Sequence, residues 1–213
     1  MELAIDKFDT RRFGLITGSP CSVLFPDKGD GKTGQLTYAK KLASQKYHSY
    51  YDEFSTWEME HGNMAEHEAF DYFKSRFDKT CQKVEFVLNG EFGGTADAVC
   101  KDYGVDFKCP TSLLKWEDYL FEGISKSQYH QCQMYMWLYD KPKWVIAAYL
   151  TETLRMGEHG LTYPVKEENR MILVEVEKDN EWADKLKLNS RFVIEKRDLF
   201  YTQLKNHFEA TNN

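Results

Sequence analysis

The chain has 213 residues, 42% hydrophobic and 15% aromatic, with a formal charge of −6. That length suits one domain, residues 1–213, with a substantial core, and the acidic balance argues against a surface coated in basic residues while leaving room for a local basic channel. No apolar run is long enough to span a bilayer and no charged-then-apolar leader opens the chain, so a soluble, cytoplasmic protein without membrane attachment is expected.

In chain order, the first informative stretch is Arg11-Arg12-Phe13-Gly14-Leu15-Ile16-Thr17-Gly18-Ser19. Thr17 or Ser19 is placed to cap a helix whose free N–H groups, beside an arginine, would hold an anion; an ordinary capped helix with surface arginines is the plainer reading. Lys28, Lys32, Lys40, Lys41 and Lys46 follow, either lining a groove for a phosphate backbone or forming a solvated helix face. From Trp57 to Phe77 the pattern is helical, with Met59, Gly62, Glu66, Ala69, Phe70, Phe73 and Phe77 near one stripe. Glu66 interrupts that apolar stripe and needs a partner, a nearby donor or a metal cluster, whereas Glu68 lies off it and is expected in solvent.

Lys83 to Leu88 reads as a strand leading into Gly93 to Pro110, which reads as two short strands around a polar turn at Lys101 to Gly104. Strand side chains alternate, so Val105, Phe107 and Cys109 share one face while Asp106 and Lys108 share the other. Thr95, Asp97 and Val99 align on the first strand, and pairing can bring Asp97 beside Asp106 and Lys108. Two acids and a lysine in a partly dry place raise each other's cost, and a hard divalent cation such as Mg²⁺ or Mn²⁺ relieves it. A surface hairpin with solvated charges is the alternative for so short a motif.

Pro110 ends the second strand. Helices are expected at Ser112 to Phe121 and Ser125 to Tyr139, the latter carrying Gln131 and Gln133, then strands at Lys143 to Thr151 and Met171 to Glu177 separated by a hairpin loop or flap. Asp179 to Ala210 reads as a long helix with Trp182, Leu186, Phe192, Ile194 and Leu199. The five cysteines, Cys21, Cys81, Cys100, Cys109 and Cys132, have no C-x-x-C spacing and read as reduced, mostly buried thiols. This order describes a mixed α/β domain around a central sheet.

Several of these pieces together resemble the phage λ-type alkaline exonucleases and the related YqaJ-like viral recombinases of the PD-(D/E)XK nuclease superfamily. Arg12 to Ser19 is similar to the family's opening R-x-G-x-I-T-x-S, and Gly62 to Ala69 to its G-x-x-x-E-x-x-A helix. Asp97 and Asp106-Phe107-Lys108-Cys109-Pro110 match its Asp and acid-x-Lys-Cys-Pro elements, and Gln131-Cys132-Gln133 with Met136-Trp137 its Q-x-Q helix. Two departures are Ala96 where proline is usual and Asp106 where glutamate is commoner.

The resemblance implies a single-domain restriction-endonuclease-like α/β fold and a Mg²⁺-dependent 5′-to-3′ exonuclease, Mn²⁺ being an alternative metal. Its substrate would be the 5′-phosphorylated ends of double-stranded DNA, and its product 3′ single-stranded overhangs for recombination by strand annealing. It further implies that Asp97, Asp106 and the Phe107 main-chain carbonyl bind the metal, and that Glu66 holds water at it. Lys108 and a glutamine, Gln131 or else Gln133, would position or activate the attacking water, and Arg12 with Ser19 would hold the 5′-phosphate. A single-strand annealing protein is the implied partner, and a trimeric ring the implied homo-oligomer. Two other readings are a Cas4- or AddB-like nuclease of the same fold, which would need clustered cysteines for iron–sulfur, and a catalytically silent DNA-binding module. The intact Asp97, Asp106 and Lys108 weigh against the second.

Overall fold

The structure, a computed structural model, describes residues 10–27, 31–50, 56–156 and 159–210. Among these residues the helices are α1 Lys32–His48, α2 Trp57–Arg76, α3 Leu113–Phe121, α4 Lys126–Leu138 and α5 Trp182–Ala210. The strands are β1 Val87–Asn89, β2 Phe92–Gly94, β3 Ala98–Val99, β4 Gly104–Lys108, β5 Lys143–Tyr149, β6 Thr153–Met156, β7 His159–Thr162 and β8 Met171–Glu177. Among the described residues no helix is long and apolar enough to cross a membrane.

The central sheet has the order β3-β4-β5-β8, with β4 and β5 parallel and the other neighbours antiparallel. β5 is buried from Trp144 to Tyr149, as a strand covered on both faces requires, and its Trp-Val-Ile-Ala-Ala-Tyr run carries no charge to place there. Alternation then sorts the core. Val105, Phe107, Ala147 and Tyr149 pack with Ala69, Tyr72 and Phe73 of α2, while Trp144, Ile146 and Val176 pack with α4 and with Leu42 of α1 and Leu186 and Val193 of α5. Because the α1–α5 pair lies over it, α4 is buried nearly all round, from His130 to Leu138, and shows no single apolar stripe. β6 and β7 form a hairpin between β5 and β8, where a loop or flap is expected.

The helix starts expected at Ser112 and Ser125 carry side-chain caps, Ser125 closing a capping box with Gln128. The cap expected at Thr17 or Ser19 is absent: Pro20 precedes a four-residue 3₁₀ turn, Cys21–Leu24, with no side-chain cap, and the Thr17 N–H donates to the Tyr38 hydroxyl at 3.4 Å. The strand expected from Lys83 begins only at Val87, because Gln82 instead bridges to Val99 and the chain must turn away before it pairs with β2. Lys28 lies outside the described residues.

α2 is rotated relative to the expected stripe. His61, Ala65, Ala69, Tyr72 and Phe73 are its buried residues, while Met59 and Phe77 are 53% and 46% exposed. Small Ala65 and Ala69 let the helix axis approach the sheet closely, which turns Glu66 to the edge of the contact rather than into it. α5 is rotated too. Its buried line is Trp182, Leu186, Ser190, Val193 and Arg197, and Leu199 is 46% exposed.

Gly104 pairs with Trp144 across β4 and β5, and a Cβ there would stand 2.0 Å from the indole. Gly104→Ala should therefore lower stability by about 3 kcal/mol in urea unfolding, since the indole has no room to retreat. Gly62→Ala, in a helix with nothing within 4 Å of the added methyl, should raise it by about 0.8 kcal/mol.

Candidate active site

Asp97 sits just ahead of β3, and Asp106 and Lys108 project from β4 toward the α4 side. The antiparallel register Ala98↔Val105 carries Asp97 across to the Phe107 amide, which donates to Asp97 Oδ2 at 2.7 Å. Asp106 is 1% exposed. Its Oδ1 accepts from Gln131 Nε2 at 3.2 Å, and its Oδ2 lies 2.5 Å from Lys108 Nζ as an ion pair. Burial, followed by the charges of Asp106 and Glu66, pushes the Asp97 carboxyl well above the usual aspartate range. Burial alone would depress the Lys108 ammonium, but the Asp106 and Asp97 carboxylates outweigh it and raise it above the lysine range.

These groups form the floor of a cleft of about 950 Å³, whose lining includes Arg12, Ser19, Glu66, Asp97, Asp106, Phe107, Lys108 and Gln131. Arg12, Ser19, Glu66, Asp97, Asp106, Phe107, Lys108 and Gln131 thus border one space, whereas Gln133, Thr17, Lys32, Lys40, Lys41 and Lys46 do not line it. Gln133 is 2% exposed, donates to the Glu177 carbonyl at 2.7 Å and accepts from the Asp179 amide at 2.9 Å, so it joins α4 to the end of β8 instead. Two helical steps of about 100° each set the two glutamines about 200° apart around α4, which explains how the glutamines of a Q-x-Q face different partners.

Four contacts around the cleft carry no sequence pattern that separates them from surface or core residues. Lys83 forms an ion pair with Glu66 and so supplies the partner that an acid on that helix needs. The Tyr139 hydroxyl accepts from the Ala96 amide at 3.1 Å and donates to the Glu85 carbonyl at 2.8 Å, pinning the backbone immediately before Asp97. Tyr135 packs where Gly18 and Gly94 have no side chains. Glu68 is exposed, as expected, and it also accepts from the Tyr149 hydroxyl at 2.5 Å, because the rotation of α2 brings it over the end of β5. The one legible signal was Arg197, a charge on the apolar line of α5; buried at 1% exposure, it donates to the Gly14 carbonyl at 2.9 Å and to Glu91 at 2.6 Å. With the Ile16–Phe92 bridge it holds the Arg12 to Ser19 segment in place.

The donor set suits a hard divalent cation. Among the described residues no three His, Cys, Asp or Glu side chains gather as a metal cage, but Mg²⁺ commonly takes only one or two carboxylates and completes its shell with water and substrate oxygens. Asp106 is buried with Lys108 as its ion-pair partner, and burial followed by the charges of Asp106 and Glu66 disfavours the ionised form of Asp97, so both carboxylates gain from a cation between them. A raised carboxyl pKa means the native state keeps a proton that the unfolded chain gives up. Without divalent cations, stability should therefore fall as pH rises from about 3.9, the unfolded aspartate value, through the raised Asp97 value, and be unaffected by this group below that window. Melting curves in EDTA across this range should show the fall in the native chain and its loss in Asp97→Asn.

No protein-family model matches the sequence, and no curated protein matches it. Solved structures do match its fold. An alkaline exonuclease, LHK-Exo from Laribacter hongkongensis, superposes with a TM-score of 0.74 at 14% identity over 94% of this chain and 96% of its own. Its complex with dAMP gives the same score and identity over 95% and 97%. A phage-related exonuclease from Haemophilus somnus 129PT superposes with a TM-score of 0.68 at 21% identity over 88% of this chain and 95% of its own. The chain therefore has the mixed α/β fold of these alkaline and phage-related exonucleases, nearly end to end in both directions.

Proposed function

We propose that the chain is a divalent-metal-dependent exonuclease that works 5′-to-3′ from the ends of double-stranded DNA and leaves 3′ single strands for recombination by annealing. The observation that carries this reading is the meeting of Asp97, Asp106 and Lys108 on the floor of a cleft, in a fold shared with proteins named as exonucleases. The neighbour solved with dAMP supports a deoxynucleoside monophosphate as the product class. The polarity, a single-strand annealing partner and a trimeric ring follow from the family resemblance.

In this reading Asp97, Asp106 and the Phe107 carbonyl hold Mg²⁺ or Mn²⁺, with Glu66 beside them. When bound, the cation supplies Lewis-acid stabilisation of the charge that builds on the scissile phosphate. Lys108, paired with the Asp106 carboxylate at the cleft floor, is placed to position or activate the attacking water and to meet the phosphate. Gln131 fixes the Asp106 carboxylate through Oδ1. Arg12 and Ser19, on the cleft wall, meet the terminal 5′-phosphate, where a planar guanidinium grips two oxygens at once.

Asp97→Ala and Asp106→Ala should each lower nucleotide release from end-labelled linear duplex about 10³-fold or more, the scale of ~4 kcal/mol of transition-state stabilisation, while circular dichroism stays near native. Mg²⁺-dependent release at native rates from either folded variant would refute the assignment. Arg12→Ala tests end recognition separately. The native protein should cut 5′-phosphate ends about ten- to a hundredfold faster than 5′-hydroxyl ends, the scale of one charge-assisted contact, and the variant should lose most of that preference. Equal ratios in the two proteins would remove Arg12 from the site.

A further inference from the structure

Away from the cleft, the chain places two thiols opposite each other. Gln82 and Val99 form an antiparallel bridge in which each amide donates to the other's carbonyl, at 2.8 and 2.9 Å. They are therefore the hydrogen-bonded pair, and the next residues outward, Cys81 and Cys100, face each other as the non-hydrogen-bonded pair. The amides of these two point elsewhere, Cys81 to the Asp78 carbonyl at 3.2 Å and Cys100 to the Tyr103 carbonyl at 2.8 Å. In such pairs the α-carbons stand about 4.5 Å apart, within the span of about 4.4–6.8 Å that a disulfide requires. Each thiol is the largest influence on the other's ionisation, Cys100 lowering the Cys81 thiol and Cys81 raising that of Cys100. Both side chains belong to the core cluster under α2, and Cys21, Cys109 and Cys132 are not opposite either of them in this bridge.

We infer that Cys81 and Cys100 are a redox modification site, a cross-strand dithiol that closes to a disulfide in exchange with a small disulfide such as oxidised glutathione. The Cys81 thiol gives its proton to water and its thiolate attacks one glutathione sulfur, breaking that S–S bond and releasing one glutathione thiolate. Cys100 then loses its proton and attacks the Cys81 sulfur, releasing the second glutathione thiolate. The two departing thiolates take up the two protons, so one glutathione disulfide is reduced to two thiols and one Cys81–Cys100 bond is formed. The bond would fasten the segment after α2 to the hairpin that carries Asp97 and Asp106. β3 is only two residues long at the sheet edge, and the turn beside it exposes Lys101 and Asp102, so local opening at this edge admits the oxidant.

The test is a disulfide map of the full chain, read in two arms. In one the native protein is held with oxidised glutathione; in the other it is refolded from urea in mixed oxidised and reduced glutathione, so that burial does not limit access. Free thiols are then capped with N-ethylmaleimide and the digest is analysed by mass spectrometry. The expected result in the refolded arm is a peptide pair joined through Cys81 and Cys100, with a melting temperature roughly 5–10 °C above the reduced chain, reversed by dithiothreitol. Cys100→Ser should lack the shift, and the map of the native sequence stands even where that variant folds poorly. Maleimide on both Cys81 and Cys100 after refolding, or bonds from either to Cys21, Cys109 or Cys132, would overturn the proposal. Recovery of the same pair in the native arm strengthens it, and a persistent glutathione adduct on Cys81 there would count against closure by Cys100.

Discussion

The arrangement on which the cleft depends is the enforced closeness of Asp97 and Asp106 with a single ammonium, Lys108, beside them. Burying charge costs several kcal/mol per ion even after relaxation, and one ion pair offsets the burial of one carboxylate, not two. The fold tolerates the excess because the contributing backbone is firmly held. β4 is an interior strand, its Phe107 amide is committed to Asp97, and Gln131 from a helix buried nearly all round is committed to Asp106. The net cost of the second carboxylate remains, and it is the physical reason this place favours a cation.

The rest of the molecule serves to keep that hairpin in register with the wall opposite it. Gly104 admits the Trp144 indole, so β4 and β5 meet without displacement. Tyr139 holds the backbone before Asp97, and Arg197 reaches from the last helix to Gly14 and Glu91. The last of these is a buried charge with two carboxylate partners, Glu91 and Asp198, and one carbonyl partner, Gly14, as a guanidinium in the core requires. Through it the long C-terminal helix, far away in sequence, positions the segment that bears Arg12 and Ser19.

What the sequence determined by itself is the local part of this design. Alternation on a strand put Asp106 and Lys108 on one face, Pro110 ended that strand, and Ser112 and Ser125 marked helix starts, because these depend on backbone geometry within a few residues. The order of helices and strands likewise followed from local periodicity. Tertiary structure alone decided which face of each helix is buried: Ala65 and Ala69 allow close approach to the sheet, which turned Glu66 to the cleft edge beside Lys83 and brought Glu68 to Tyr149. It also decided that Gln131 meets Asp106 while Gln133 meets Glu177, and that Thr17 and Ser19 cap nothing. Such choices rest on contacts between residues tens of positions apart, whose energies no short window of sequence contains.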